Sequence, residues 1–352
     1  MVISVKKQNS VKKKVTIKDV ARAVGVSHAT VSMVFTGESR ISEKTREKVL
    51  AVAREMNYVP NLGASNLRSG KTKLIGLIAN DLANPAYGRM AQVAETISVE
   101  HGYQLIIADH QWNPEAEVAA VQKMIGFHTR GILLCCTEQS QVSLELLKRT
   151  GGPAVVALDS CPPDYTGAFI GFDVVASGRM AAQHLVDAGC KNPVLFTAQR
   201  SLRTLNSFVN LQHGFLDQLE RCGIPKGKHR IIYSGLTADE GQKAFHRARA
   251  TAPDIDGILC INDLCAYGVI AGADEAGVAI GKDLAVIGIG DHALSRIPRI
   301  SLTSIRHSVE QVVSMAIEAL IESFESDTPP TVRYELPPEL IIRNSSRLAH
   351  SR

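Results

Sequence analysis

The hydrophobic pattern of the first forty residues predicts two short helices joined by a tight turn. Apolar side chains recur at helical spacing over residues 17–24, stop at Gly25-Val26-Ser27, and resume over residues 28–35. Thr16 and Asp19 have the spacing of a capping box, which satisfies the free N–H groups of a first helical turn. The glycine of the turn can adopt the positive φ that ends a helix, and its serine is a favourable N-cap for the next one.

A third helix is predicted from the N-cap Ser42 to about Asn57, with an apolar stripe that closes a three-helix core. Two helices joined by a glycine-containing turn form a helix-turn-helix, whose second helix is suited to the DNA major groove. An ordinary helical hairpin is the alternative. We therefore predict an all-α DNA-binding domain at residues 15–60.

From Lys73 onward, apolar strand patterns alternate with helical patterns. Strands are predicted at 74–79, 104–108, 131–136, 154–158, 168–172, 193–197, 230–233, 257–261 and 284–289. Helices are predicted between them, for example at 86–100, 115–127, 174–188, 207–221, 239–251 and 263–276. Continuously apolar strands separated by helices indicate parallel sheets covered on both faces, and this number of strands favours two doubly wound subdomains. The predicted fold class is α/β with an all-α head.

The distribution of charge supports a nucleic-acid partner for the head. Residues 1–73 carry 15 Lys/Arg against 5 Asp/Glu, whereas the rest of the chain carries 24 against 30. Such a basic segment is the electrostatic signature of a polyanion-binding region. Residues 1–14 are expected to form a basic disordered arm.

Composition narrows the function classes further. No stretch approaches the roughly twenty apolar residues of a membrane span, and no secretory signal is recognisable, so we expect a cytoplasmic protein. The seven cysteines form no CxxC pair or zinc-ligand cluster, which predicts reduced thiols, no metal and no cofactor.

The chain resembles the lactose repressor/galactose repressor (LacI/GalR) family of bacterial transcription regulators. The resemblance rests on VTIKDVARAVGVSHATVS, ISEKTREKVLAVAREMNYVPN, ASNLRSGKTKLIGLI, INDLCAYG, LAVIGIGD and LPPELIIR, and covers about residues 15–345. It implies a pair of subdomains like those of periplasmic binding proteins. One half would contain residues 74–172 and 304–335, and the other 173–303 and 336–345, with a tail at 346–352.

The resemblance also implies which head residues contact DNA. Base discrimination falls mainly to His28, Ala29 and Met33, because groove-facing side chains read bases. Phosphate contacts and positioning fall to Thr16, Ile17, Thr30, Ser32 and Asn61, and Ser27 and Thr36 are further expected DNA-binding residues. Many relatives carry Arg at the position of Met33 and Asn at that of Thr36, so a different half-site is expected: Met offers only apolar contact to a base.

Residues 61–72 are expected to form a hinge. Leu67, with Ala64 one turn earlier, matches the leucine that the family inserts between base steps at the operator centre. Apolar side chains in that position kink DNA from the minor groove. The family binds a pseudo-palindromic operator as a homodimer, and the absence of a leucine heptad after LPPELIIR argues against a tetramer.

A small-molecule effector is expected in the cleft between the subdomains, since open α/β sheets bind ligands beyond the carboxyl ends of their strands. The candidate effector-binding residues are Asn84, Tyr87, Asp159, Asn262, Asp263 and Asp291. Asp and Asn at such positions also cap helices, and that alternative stays open.

Three departures from the family concern this cleft. Leu211 stands where an Arg is usual, Gly290 where Asp is frequent, and Leu236 where some sugar-binding members have Trp. The effector is therefore expected to be a sugar or related metabolite, or a less polar atypical molecule, unless the pocket is vestigial. Arg200 or Arg203 could supply a substitute charge.

We predict a ligand-responsive DNA-binding regulator, most simply a repressor. The alternatives are a cytoplasmic small-molecule-binding protein with a vestigial DNA head, a solute-binding protein of a transporter, and an enzyme on a doubly wound fold. No GxSxG, Walker A or HExxH motif supports an enzyme, and GIGDHA is a poor dinucleotide fingerprint.

Overall fold

The computed structural model describes residues 15–36, 40–60, 72–198, 202, 206–225, 230–326 and 328–347. The chain divides into two compact units, residues 1–72 and 73–352. The boundary coincides with the start of the predicted effector-binding core.

The first unit contains the three expected helices: α1 (Ile17–Val24), α2 (His28–Thr36) and α3 (Glu43–Glu55). Gly25 ends α1 with φ +79°, and its N–H donates to the carbonyl of Ala21. A small valine-rich core joins the helices, and its buried members are Val20, Ala21, Val24, Val31, Val34, Val49 and Ala53. The apolar residues that recur at helical spacing in the sequence are therefore the ones that pack together in this core.

The second unit begins with a βα series that builds one sheet. Its elements are β1 (Leu74–Ala79), α4 (Pro85–Glu100), β2 (Gln104–Asp109), α5 (Pro114–Gly126), β3 (Gly131–Cys135), α6 (Ser140–Thr150), β4 (Ala154–Asp159) and β5 (Phe169–Phe172). The strands are almost entirely apolar and pair in parallel, because helices cover both faces.

A second series builds the other sheet. Its elements are α7 (Val174–Asp187), β6 (Pro193–Thr197), α8 (Asn206–Arg221), β7 (Ile231–Tyr233), α9 (Ala238–Thr251), β8 (Gly257–Cys260), α10 (Asp263–Glu275) and β9 (Ala285–Ile289). Helices α7 and α8 pack closely because both contribute glycine at the contact. A Cβ on Gly178 would lie 2.3 Å from the carbonyl oxygen of Leu211, and one on Gly214 would lie 2.1 Å from that of Val175.

The chain then crosses between the sheets twice more, through β10 (Thr303–Arg306), α11 (Val309–Ser326), β11 (Arg333–Leu336) and β12 (Glu339–Ile341). The strand orders are β11-β5-β4-β3-β1-β2 and β12-β10-β9-β8-β6-β7. The two expected doubly wound subdomains are present.

One predicted boundary is wrong. Residues 304–306 were expected in the first half, but β10 pairs in parallel with β9 of the second sheet, with Ser304 opposite Gly288. The chain therefore leaves the second sheet after β10 and passes to the first from His307 onward. Strand β10 is short and polar at both ends, so its sequence carries little sign of which sheet it joins.

Candidate functional site

The helix-turn-helix is held by local hydrogen bonds that the sequence pattern anticipates. The carboxylate of Asp19 accepts from the amide (3.0 Å) and the hydroxyl (2.6 Å) of Thr16. The hydroxyl of Ser27 accepts from the amide of Thr30 at 3.0 Å and caps α2. Because their polar groups serve these caps, Thr16, Ser27 and Thr30 fix the start of each helix.

Two basic side chains of α3 tie the other helices to it. Arg46 Nη1 donates to the carbonyl of Val34 at 3.2 Å, and Lys48 Nζ donates to that of Val24 at 3.2 Å. Positive charge at a helix C-terminus also interacts favourably with the helix dipole. These contacts orient α2 within the head without using its outward face.

The outward face of α2 presents the residues expected to read bases. His28 and Ala29 are exposed and Ser32 and Met33 are partly exposed, whereas Val31 on the opposite face is fully buried. Ile17 is partly exposed at the start of α1. The side chain of Thr36 and the expected hinge residues Asn61, Ala64 and Leu67 lie outside the described part of the chain.

A cavity of about 520 Å³ lies in the second unit, lined from elements of both sheets. Five of the six expected effector residues line it: Asn84, Tyr87, Asp159, Asn262 and Asp291. The carboxyl ends of the strands supply most of the lining, as the strand-end argument predicts. The volume lies within the range of ordinary small-molecule sites.

Asp159 and Tyr87 form the polar centre of one wall. Asn80 donates to the hydroxyl of Tyr87 at 2.9 Å, and that hydroxyl donates to Asp159 Oδ2 at 2.9 Å. Burial raises the pKa of Asp159, and the hydrogen bond from Tyr87 opposes part of that rise. Asp159 also has φ +63°, an uncommon backbone conformation of the kind that concentrates at functional sites.

Asp291 lies on the other wall and is enclosed by arginines. Its carboxylate accepts from Arg296 at 3.2 Å, Arg306 at 2.7 Å and Arg343 at 2.5 Å. Burial would raise the pKa of Asp291, but the hydrogen bonds from Arg306 and Arg343 bring it below its ordinary value. The carboxylate is therefore ionised and engaged within the protein, so it has little capacity left for a ligand.

Asn262 and Asp263 both make hydrogen bonds that serve the fold: Asn262 caps a helix, and Asp263 supports a neighbouring loop. Asn262 Oδ1 accepts from the amide of Cys265 at 2.8 Å as the N-cap of α10, and its Nδ2 donates to the carbonyl of Leu236 at 3.0 Å. Asp263 is fully buried, and it is absent from the lining of the described cavity. Its carboxylate accepts from the hydroxyls of Ser295 and Ser304, both at 2.6 Å, and so supports the loop that carries Asp291.

Sequence reasoning missed the aromatic part of the cleft. Trp112 and Phe208 line the cavity beside Tyr87, with ring centroids 5.5 Å apart for Trp112–Phe208 and 6.2 Å for Tyr87–Trp112. Trp112 lies in the turn between β2 and α5 with φ +61°. The available sequence signal was its position three residues after the carboxyl end of β2.

The three positions that depart from the family pattern all lie on the cavity lining. Leu211 and Leu236 both line the cavity as apolar wall. Gly290 has φ +127°, and a Cβ there would lie 2.6 Å from Nε2 of His292. The imidazole of His292 therefore occupies the space into which a side chain at 290 would project.

No helix within the described ranges is long and apolar enough to cross a membrane. The same residues contain no group of three or more His, Cys, Asp and Glu side chains arranged to hold a metal ion.

Comparisons with known proteins agree with this architecture of a helix-turn-helix head joined to a two-sheet ligand-binding core. Residues 16–61 match the model of bacterial regulatory proteins of the lacI family, and residues 182–346 match that of periplasmic binding protein-like domains. The chain therefore combines a helix-turn-helix domain of the lacI family with a periplasmic binding protein-like domain.

Curated relatives match along nearly the whole chain. The HTH-type transcriptional regulator DegA of Bacillus subtilis is 29% identical, covering 95% of this chain and 98% of its own. The HTH-type transcriptional repressor PurR of Pasteurella multocida is 27% identical, covering 94% and 98%. Among solved structures, the lac repressor dimer bound to operator and the anti-inducer ONPF superposes with a TM-score of 0.82 at 24% identity, covering 96% and 100%. The relatives are transcriptional regulators rather than enzymes.

Proposed function

We propose that the protein is a ligand-responsive transcriptional repressor. It binds a pseudo-palindromic operator in double-stranded DNA as a homodimer, and a small molecule in the cleft between the two sheets modulates that binding. The main support for the proposal is that one chain has both an α2 with an exposed outer face and, in its second unit, a cavity of the size of a small-molecule site. Since its operator would be chromosomal DNA, the protein would act in the bacterial cytoplasm.

The DNA-binding half of the proposal rests on the separation, within the head, of residues that stabilise the fold from residues that are exposed. Capping and packing use Thr16, Ser27, Val31 and Val34, which leaves the exposed His28 and Ala29 for base edges. Because one recognition helix covers only a few base pairs, twofold pairing is needed to read a full operator.

The effector half rests on the cavity. The polar pair Asp159–Tyr87 and the aromatic ring of Trp112 face a space enclosed from both sheets. A ligand that contacts both walls favours one relative arrangement of the two subdomains, and such differential affinity is what shifts a conformational equilibrium.

Selection of genomic DNA fragments tests the proposal. The full-length protein should retain a small set of fragments that share an inverted repeat, with affinity that falls steeply as salt rises because phosphate contacts release counterions. His28→Ala should lose or alter this selection. His213→Ala, the same change at an exposed position of the second unit, is the matched control and should keep it.

The result separates the proposal from its main alternative, a small-molecule-binding protein with a vestigial DNA head. Retention of specific fragments by the wild type and by His213→Ala supports the repressor. Binding without sequence preference, unchanged by His28→Ala, would favour the alternative.

A further inference from the structure

The charges that line the cleft do not balance within the described part of the protein. Arg89 is paired with Glu310 at 2.8 Å, and Arg296 and Arg306 are both paired with Asp291. The arginines on the lining are therefore already engaged with carboxylates. Two carboxyl groups on the lining, those of Asp81 and Asp159, have no ion-pair partner among the described residues.

Of these two, Asp159 lies next to the aromatic side chains of the cavity wall, in contact with Tyr87. Its single described hydrogen bond comes from the hydroxyl of Tyr87, and no Lys, Arg or His in the described ranges lies within ion-pair distance of it. A carboxylate surrounded by protein without a cation is costly, because burial removes its hydration and one hydroxyl replaces little of it. An added cation would relieve that cost.

The groups next to Asp159 suit such a cation. Tyr87 contacts the carboxylate directly, and Trp112 and Phe208 continue from it as a series of rings with centroids 6.2 and 5.5 Å apart. The faces of aromatic rings attract ammonium groups within about 6 Å. The apolar side chains Leu211 and Leu236 line the same cavity and offer a surface for a hydrocarbon body.

We propose that the effector is an organic amine: a cationic ammonium group that pairs with Asp159 beside the three rings, joined to an apolar or aromatic body that packs on Leu211 and Leu236. This inference rests on the proposed function, since it names the class of ligand for the same cleft. Neutral polyols are the competing class. They would need several polar partners, whereas Asp291 and Asn262 are occupied by protein groups.

The chain offers a direct reporter of occupancy. Trp112 is its single tryptophan and lies on the cavity wall, so a ligand beside the rings alters the intrinsic fluorescence. The probes are phenethylamine and its neutral isostere 2-phenylethanol, with glucose as the polyol. Titrations use the full-length protein, and calorimetry checks the affinities independently of fluorescence.

The expected result is that phenethylamine binds the wild type at least about tenfold more tightly than 2-phenylethanol, the effect of one charge-assisted hydrogen bond. Asp159→Asn should abolish this preference and leave the affinity for 2-phenylethanol within about twofold. Asparagine tolerates the positive φ of residue 159, so the backbone is preserved. Asp81→Asn changes another carboxylate on the lining and should leave the preference intact.

Three outcomes would overturn the proposal. They are equal binding of amine and alcohol to the wild type, no binding of phenethylamine at millimolar concentration, and retention of the preference for the amine by a folded Asp159→Asn variant. The comparison of ligands on the wild type decides the question even if a variant does not fold. Specific retention of genomic fragments would stand through each of these outcomes, so failure of the amine assignment is distinct from failure of the repressor assignment.

Discussion

Acidification is expected to destabilise the core through His307, which lies where the chain passes from β10 to α11. Its ring stacks on Phe172 with centroids 4.3 Å apart and an interplanar angle of 12°, and its Nε2 lies 2.9 Å from the hydroxyl oxygen of Ser177. That hydroxyl donates its single hydrogen to the carbonyl of Asp173. The hydroxyl must therefore accept from His307, which assigns the proton to Nε2 in the neutral ring.

Burial lowers the pKa of His307 from 6.5 to about 4. In the unfolded chain the imidazole takes up a proton near its ordinary pKa, whereas the folded state resists protonation down to about pH 4. The unfolded state therefore binds more protons in this window, and stability falls as the pH drops below 6.5. With about 1.4 kcal/mol per pKa unit, the full loss is about 3 kcal/mol, and about 2 kcal/mol of it is reached by about pH 5.

His307→Gln isolates this contribution because glutamine does not titrate and can still donate to Ser177. Urea denaturation followed by Trp112 fluorescence at about pH 7.5 and about pH 5 gives the free energy of unfolding of each variant. The wild type should lose about 2 kcal/mol more than His307→Gln between the two conditions. His213→Gln, at an exposed position, should behave as the wild type. A difference below about 0.5 kcal/mol between wild type and His307→Gln would refute the reasoning.

Three further predictions concern the head, the hinge and the cleft. Met33→Arg should change base preference at one position of each half-site by about 1–3 kcal/mol, because arginine adds a bidentate contact to guanine. An unchanged preference profile across an operator library would exclude a base-facing Met33. Leu67→Ala should reduce operator bending in a circular-permutation mobility assay while leaving the thermal midpoint of the core in place, because the wedge creates the kink; full bending by the variant would contradict the assignment. Gly290→Ala should lower the free energy of unfolding by about 1–3 kcal/mol, because φ +127° is strained for alanine and the new Cβ meets His292, and equal denaturation midpoints would count against it.

Local sequence determined the helix-turn-helix and most of the strands and helices. Thr16 with Asp19, Gly25 and Ser27 act through hydrogen bonds within a few residues, so their pattern carries the information. The same holds for the apolar strands β1 and β3, because burial on both faces demands continuous hydrophobicity. The roles given to Asn61, Ala64 and Leu67 stay predictions.

The tertiary structure alone decided which polar strand-end residues face the cavity and which serve the fold. Asp159 and Asp263 look alike in sequence, yet the first lines the cavity and the second accepts hydrogen bonds from Ser295 and Ser304. The placement of β10 in the second sheet, and of Trp112 beside Phe208, likewise depended on partners about 15 and about 100 residues away along the chain. Such choices follow from long-range packing and charge pairing, which a local pattern of residue types does not encode.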